Sequence, residues 1–376
     1  MADVSGNLSS TLTDDAVLHD NANNTPHTTH PDALVFWKTI PPVLICCGTI
    51  GNILTLVVLT QKSMRRSPMT SYLIILAVFD ILALHTGLLR QWVIYYFDVD
   101  IRDSHVSVCK IHPVLVYFSL DMSAWILVCM TVERTVSVLQ PHKVKVLFSS
   151  KTSRALISIV GVVLFAINGH FLYGNDITET LVNNGTVSKC TNQLIKQYFF
   201  FLKDVFPWID LTMFCVLPLI VQVTGNILII TKLVSKTRKM NKTLTNVQVA
   251  ENRKRQFSSM TIMLLTLNFM FLICTLPISV YLVFEGIWDS NKVDYKSNTT
   301  DLVYATTSSL MYANNTFNFV FYCLCGRRFR TELRNLFERK TSRSSFLETS
   351  FTISRSELNS SNYGNSNTAA FTMSVE

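Results

Sequence analysis

A few polar side chains stand inside long oily runs of this chain, and their types and spacing point to chemistry. Asn52, Asp80, Ser123, Asn314 and Asn318 fall one or two to a run, at similar depth if each run is a helix. Converged, they form a hydrated pocket around one carboxylate, suited to a small cation such as Na⁺ through oxygen ligands. Unconverged, they are separate interhelical hydrogen bonds, which are common; spacing leaves both readings open. Two more acids, Asp121 and Asp210, stand 13 residues before Arg134 and eight before Pro218. A buried carboxylate must be paired, protonated or matched to a cation. These two are therefore either counter-charges for a ligand cation, such as an arginine, or a proton-sharing pair that holds the fold. Finally, Glu133-Arg134 closes the oily run from Val114 to Val132. In water such a dyad is a solvated surface pair; in lipid it is a functional candidate by default.

The solvent decides between these readings. The chain has 376 residues, 49% hydrophobic and only 15% charged, against about a quarter charged in soluble chains. The apolar residues fall into seven blocks, about 34–60, 70–96, 106–138, 154–174, 198–231, 258–286 and 302–324. Each can cross a hydrocarbon core of about 30 Å, which needs roughly 20 residues of helix. Pro41, Pro42, Pro113, Pro207, Pro218 and Pro277 lie within blocks, where neighbouring helices can re-satisfy the freed backbone groups. The runs do not alternate as barrel strands do. The fold class is an all-α membrane protein, a seven-transmembrane helix bundle. The first thirty residues lack a basic-then-oily leader, so the first span is expected to insert by itself.

Orientation follows from the basic residues. Residues 232–256 carry eight Lys or Arg against the single acid Glu251, and residues 61–67 and 142–154 add seven more. Residues 1–36 hold five Asp and no basic residue. Positive charge stays inside, which places the N-terminus outside and, after seven spans, the C-terminus in the cytosol. The net charge of +8 thus faces anionic lipid and acidic partners, not nucleic acid. The sequons at Asn7, Asn23, Asn184 and Asn298 all lie on the expected outside. Trp37, Trp92, Trp208 and Trp288 fall near outer span ends, as an interfacial belt would. Of nine cysteines, only Cys109 and Cys190 lie in outer stretches, where disulfides persist, and they are paired here. The other seven read as packing residues.

Gly51-Asn52, Leu76-Ala77-Val78-Phe79-Asp80, Cys109 with Arg134 25 positions on, Pro218, Cys274-Thr275-Leu276-Pro277 and Asn318-Phe319-Val320-Phe321-Tyr322 stand in the order and spans of one family. The chain resembles rhodopsin-like (class A) G-protein-coupled receptors over about residues 34 to 340. The stretch Asn314 to Cys323, ending in Gly326-Arg327-Arg328-Phe329-Arg330, resembles invertebrate neuropeptide receptors of the FMRFamide-receptor type. Thr275, Phe319, Asn226 and Gly161 depart from the usual Trp, Pro, Tyr and Trp. The first two put the aromatic toggle and the kink of the seventh span in doubt. Phe329, Leu333, Leu336 and Phe337, with basic residues between, look like the family's amphipathic eighth helix. The implied organisation is an outer tail (1–33), the bundle (34–326), the inner-leaflet helix (327–340) and a Ser/Thr-rich tail (341–376).

By that resemblance, Glu133 holds Arg134 at rest; the sixth helix then swings out and Arg134 is freed toward the G protein. Tyr322, Pro277 and Phe271 belong to the same transduction path. The sixth span shows no acid near Phe257 to clamp Arg134 a second time, so measurable basal signalling is expected. The carboxylate used by amine receptors falls at Val116, and Tyr312 occupies the retinal-lysine position of opsins. Both ligand classes are thereby disfavoured. A long outer loop and the acids Asp98, Asp103, Glu285, Asp289, Asp294 and Asp301 around the mouth suit a basic peptide. Asp121, Asp210, Arg90, Val116, Tyr117, Glu285 and Tyr312 form the candidate ligand set; Arg90 meets either a peptide acid or a neighbouring carboxylate.

Beyond Thr341 the composition predicts disorder, with Ser/Thr clusters for a receptor kinase and then an arrestin. No catalytic pattern and no cofactor motif is present, and no internal duplication of the transporter kind. The expectation is a plasma-membrane receptor for an extracellular neuropeptide, signalling through heterotrimeric G proteins. The alternatives are a chemosensory or orphan receptor of the same fold for a small ligand, and a non-receptor transporter.

Overall fold

Inside lipid, backbone hydrogen bonds must close within each crossing segment, and the oily blocks meet that demand as helices. The computed structural model describes residues 31–64, 68–140, 149–182, 185–240, 247–290, 298–336 and 338. Among them run seven long helices: α1 (Pro31–Leu59), α2 (Met69–Phe97), α3 (Val106–Leu139), α4 (Ser150–Asn168), α5 (Lys196–Ser235), α6 (Val247–Ser290) and α7 (Asn298–Cys325). A short helix, α8, follows at 327–336. Between α4 and α5 lies a hairpin of β1 (Asp176–Val182) and β2 (Gly185–Thr191), in which Ile177 faces Cys190.

Helices α1 to α6 are each long and apolar enough to cross a membrane on length and composition alone. Helix α7 falls short because its polar residues are many, and Ser308, Ser309, Asn314, Asn315, Thr316 and Asn318 are buried in the bundle. A membrane helix hides polarity against its neighbours in this way. Helix α6 is longer than its oily block because the helix continues through the polar residues 247–257.

Three π-helical turns interrupt the spans, at Leu84–Leu88 in α2 and at Phe201–Val205 and Leu211–Val216 in α5. The two in α5 each precede a proline closely, Pro207 and Pro218. A proline ring displaces the carbonyl four residues back, and a widened turn relieves the clash. Asp210 lies between these two turns, so its direction is not that of a regular helix. Small residues set the closest approaches: a methyl on Gly87 of α2 would strike the Tyr312 ring of α7. Helix α3 is central, packing on α2, α4, α5 and α6.

Trp37 is not in an interfacial belt. It is 1% exposed, stacked on Tyr95 at 5.0 Å and tilted against Tyr304 at 6.1 Å, because the bundle interior offers its ring more apolar contact. Trp208 is exposed, as a belt residue would be, Trp92 is partly buried, and the side chain of Trp288 lies outside the described residues. Helix α8 is amphipathic as expected: Phe329 is buried against Tyr322 (5.7 Å) and Phe319 (5.9 Å), and Leu333 and Leu336 pack behind it. Phe337, the sequons at Asn7, Asn23 and Asn184, and the tail beyond 341 lie outside the described residues.

Candidate functional site

The first polar cluster forms where four spans meet. Asp80 of α2 is wholly buried. Ser123 of α3 donates to its Oδ1 at 2.9 Å, Asn315 of α7 to Oδ1 at 2.7 Å, and Asn318 of α7 to Oδ2 at 2.6 Å. Asn52 of α1 joins them by donating to the Asn315 carbonyl at 2.9 Å. The convergence expected of Asn52, Asp80, Ser123 and Asn318 is present. The fifth member differs: Asn315, not Asn314, donates to Asp80. Positions 314 and 315 both lie at helical spacing from 318, so the pattern did not separate them. Buried Asn52 Oδ1 has no hydrogen-bond partner.

The second cluster lies between α3, α4 and α5. Asp121 is 2% exposed, and Asn168 of α4 donates to its Oδ2 at 2.8 Å, while Oδ1 has no partner. Asp210 is half-buried and within electrostatic reach of Asp121. Trp125 Nε1, one turn below Asp121, donates to the Met213 carbonyl at 2.9 Å and holds α3 to α5 there. The bundle thus brings both acids together, with one carboxylate oxygen bare.

At the end nearest the hairpin, Cys109 at the start of α3 is bonded to Cys190 of β2. Asp103 accepts from the Cys190 N–H at 2.8 Å, and Lys110 pairs with Asp176 at 3.3 Å. The Ile177 N–H and then Lys110 hold Asp176 below its ordinary carboxylate range. Arg90 pairs with a carboxylate of this chain. Its Nε and Nη2 donate to Asp100 at 3.0 and 2.5 Å, and Arg102 Nη2 reaches the same acid at 2.8 Å. Burial alone would raise Asp100, but the hydrogen bonds from Arg90 and Arg102 outweigh it and hold it well below the usual range. Tyr117 stacks on Phe171 at 5.0 Å and meets Phe206 edge-on at 5.3 Å. Tyr312 is buried against Gly87, Val116 is partly buried on α3, and Glu285 is partly buried on α6. Asn298 opens α7 and donates its Nδ2, the nitrogen a glycan would take, to Asp32 at 2.9 Å.

At the opposite end, Glu133 and Arg134 are both buried, yet their nearest approach is 3.9 Å. That is an ion pair without a hydrogen bond. Glu133 lies beside Tyr72 of α2 and Ser153 of α4, while Arg134 Nε and Glu133 Oε2 have no partner. The expected hold of Glu133 on Arg134 is therefore loose. Phe271 packs on Phe214 at 6.1 Å, and Thr275 donates to the Phe271 carbonyl at 2.7 Å. Pro277 lies inside α6, and Tyr322 is buried with its hydroxyl unpartnered. Cys325 is 3.7 Å from Thr266 Oγ1 of α6, so its thiol faces the bundle.

Sequence reasoning passed over Asn168, Asn315, Asn268, Tyr72, Asp100 and Arg102. Asn168 and Asn268 carried a usable signal, each being an amide inside an oily block.

A seven-helix membrane bundle, with a buried carboxylate hub, a disulfide tying its longest loop to α3 and a Glu-Arg pair closing α3, has the architecture of a signalling receptor. The family model described as 7 transmembrane receptor (rhodopsin family) matches residues 51–322, and the chain belongs to that family. It is a multi-pass membrane protein and not an enzyme. Relatives include the thyrotropin-releasing hormone receptor of Gallus gallus, 22% identical over 327 residues, covering 79% of this chain and 78% of that one. The C-C chemokine receptor type 1 of Homo sapiens is 23% identical over 316 residues, 81% and 80% of the two chains. The histamine H2 receptor of Cavia porcellus is 24% identical over 324 residues, 85% and 84%.

Proposed function

We propose that this receptor captures an extracellular peptide bearing a basic group, with Asp210 and Asp121 as its counter-charges. The observation that carries the reading is the bare, buried Asp121 Oδ1 beside a second carboxylate. Two acids within electrostatic reach in a low-dielectric interior, one of them met by a single amide donor, gain most from an incoming cation. Two relatives are named for thyrotropin-releasing hormone and for chemokines, one for histamine. Val116 at the amine-anchoring position, together with the resemblance to FMRFamide-type receptors, favours the peptide. Tyr117, Tyr312 and Glu285 complete the ligand set, and Arg90 acts within it by bracing the mouth through Asp100.

The basic residues of 232–256 face the cytosol of a plasma-membrane protein whose N-terminus is outside. There Arg134, loosely held by Glu133, meets a heterotrimeric G protein once α6 moves outward. Pro277, Phe271 and Tyr322 carry the change, and the Ser/Thr tail then recruits a kinase and arrestin. The Asp80 hub takes Na⁺ as an allosteric ion: one carboxylate, Ser123 Oγ and Asn52 Oδ1 are oxygen donors suited to a monovalent cation. For the ion to enter, Asn315 and Asn318 must turn their amide N–H groups away.

The test is a panel of amidated neuropeptides applied to cells expressing the chain, read as calcium and as cAMP. Activation by a basic peptide that Asp210→Asn abolishes supports the proposal. Activation indifferent to both Asp121→Asn and Asp210→Asn removes the counter-charge.

A further inference from the structure

A polar junction joins three helices near Arg134 and has no part in the scheme above. Asn268 of α6 is 2% exposed, and its Nδ2 donates to Thr131 Oγ1 of α3 and to Asn226 Oδ1 of α5, each at 2.9 Å. Both amide hydrogens are thus committed, to two different helices. Thr131 donates its own hydroxyl proton to the Leu127 carbonyl at 2.8 Å, which fixes it as an acceptor toward Asn268. Gly225, beside Asn226, lets α5 lie directly on Thr131, where a methyl would strike the threonine side chain. Thr131 is three residues before Arg134, on the same face of α3.

The junction is incompletely satisfied. Asn268 Oδ1 is buried without a partner, and so is Gln222 Nε2, one turn before Asn226 on α5. A bare amide atom in low dielectric destabilises the arrangement that leaves it bare. A spare acceptor on α6 and a spare donor on α5 thus offer new partners to a shifted arrangement of the two helices. A purely apolar seam offers no such choice.

We propose that Asn268 is a positioning residue whose two hydrogen bonds hold α6 against α3 and α5 beside Arg134, and that signalling requires both to break. The inference rests on the proposed outward movement of α6. Asn226 is one of the departures from the residue usual in the receptors this chain resembles.

The test is a distance measurement on the purified full chain in lipid nanodiscs. Spin labels go on exposed Leu139→Cys of α3 and Ile262→Cys of α6, with Cys46, Cys47, Cys323 and Cys325 replaced by serine. Asn268→Leu is expected to populate a longer distance, raising its ratio to the short one roughly three- to tenfold. Asn226→Ala should give a smaller shift and add nothing in the Asn268→Leu background. An unchanged distribution, or two independent additive shifts, overturns the proposal. If Asn268→Leu does not reach the membrane, the double variant Thr131→Val with Asn226→Ala removes both acceptors, and an unchanged distance distribution in it overturns the proposal equally. Basal nucleotide exchange on a panel of purified G-protein heterotrimers is run alongside. A distance shift without exchange counts against G-protein coupling and leaves the positioning role intact; exchange without a shift counts against the positioning role alone.

Discussion

Asp80 and Asp121 are the same side chain buried in the same bundle, and their surroundings differ sharply. Asp80 receives three donors within 2.9 Å, from α3 and α7, on both of its oxygens. Asp121 receives one, from Asn168, and keeps an oxygen bare. The first region is a joint whose parts complete one another. The second is an incomplete coordination shell beside another acid. Burial alone therefore does not distinguish the two acids; the donors that answer each of them do.

Removing the better-dressed acid has the largest expected effect. Asp80→Ala leaves three buried donors without an acceptor, a loss of about 3 kcal/mol at roughly 1 kcal/mol each. Thermal unfolding of the purified receptor reads it. Asp80→Asn, which retains an acceptor, should lose less, and equal losses in the two variants would show that the donors do not act through the carboxylate. The poorly dressed pair should behave in the opposite way. Asp121→Asn still accepts from Asn168, so stability changes by less than about 1 kcal/mol, while a basic peptide loses tenfold or more in potency.

The mouth sharpens the contrast, since Asp100 is a third acid and is satisfied by charge. Its folded-state pKa lies below the ordinary carboxylate value of about 3.9. The stabilisation from Arg90 and Arg102 is thus fully present above about pH 4 and is lost only as pH falls through the depressed value. Asp100→Asn should cost about 1–2 kcal/mol at every pH from 5 to 8, and merge with wild type only in strong acid. A difference that closes between pH 7 and 5 would contradict this. The smallest effect is expected at the opposite end, where the 3.9 Å Glu133–Arg134 approach is already loose. Wild type should show basal nucleotide exchange above vector-only cells, and Glu133→Gln should raise it only about twofold to threefold, consistent with a weak pair.

Much of this was legible in the residues. Oily blocks in the sequence matched seven helices, six of them apolar enough to cross a membrane by length and composition, and the restriction of cysteine to two outer positions paired Cys109 with Cys190. The hub was legible too, except that helical spacing cannot choose between Asn314 and Asn315. What stayed hidden depends on contacts between distant segments. Trp37 looked interfacial by position, yet Tyr95 and Tyr304 draw it inside. Asn168 is 47 residues from Asp121, and nothing local to either announces the pair. The direction of Asp210 depends on two π turns, and proline marks where a helix is disturbed without saying how far it rotates.

The counter-charge is tested most directly by pairing a change in the receptor with a change in the ligand. An activating basic peptide and its analogue with the arginine replaced by citrulline are titrated on wild type, Asp210→Asn and Asp121→Asn at matched surface expression. The account predicts that citrulline weakens the peptide on wild type and makes little difference on the variant that lacks its partner acid. The same potency ratio on all three receptors would contradict it.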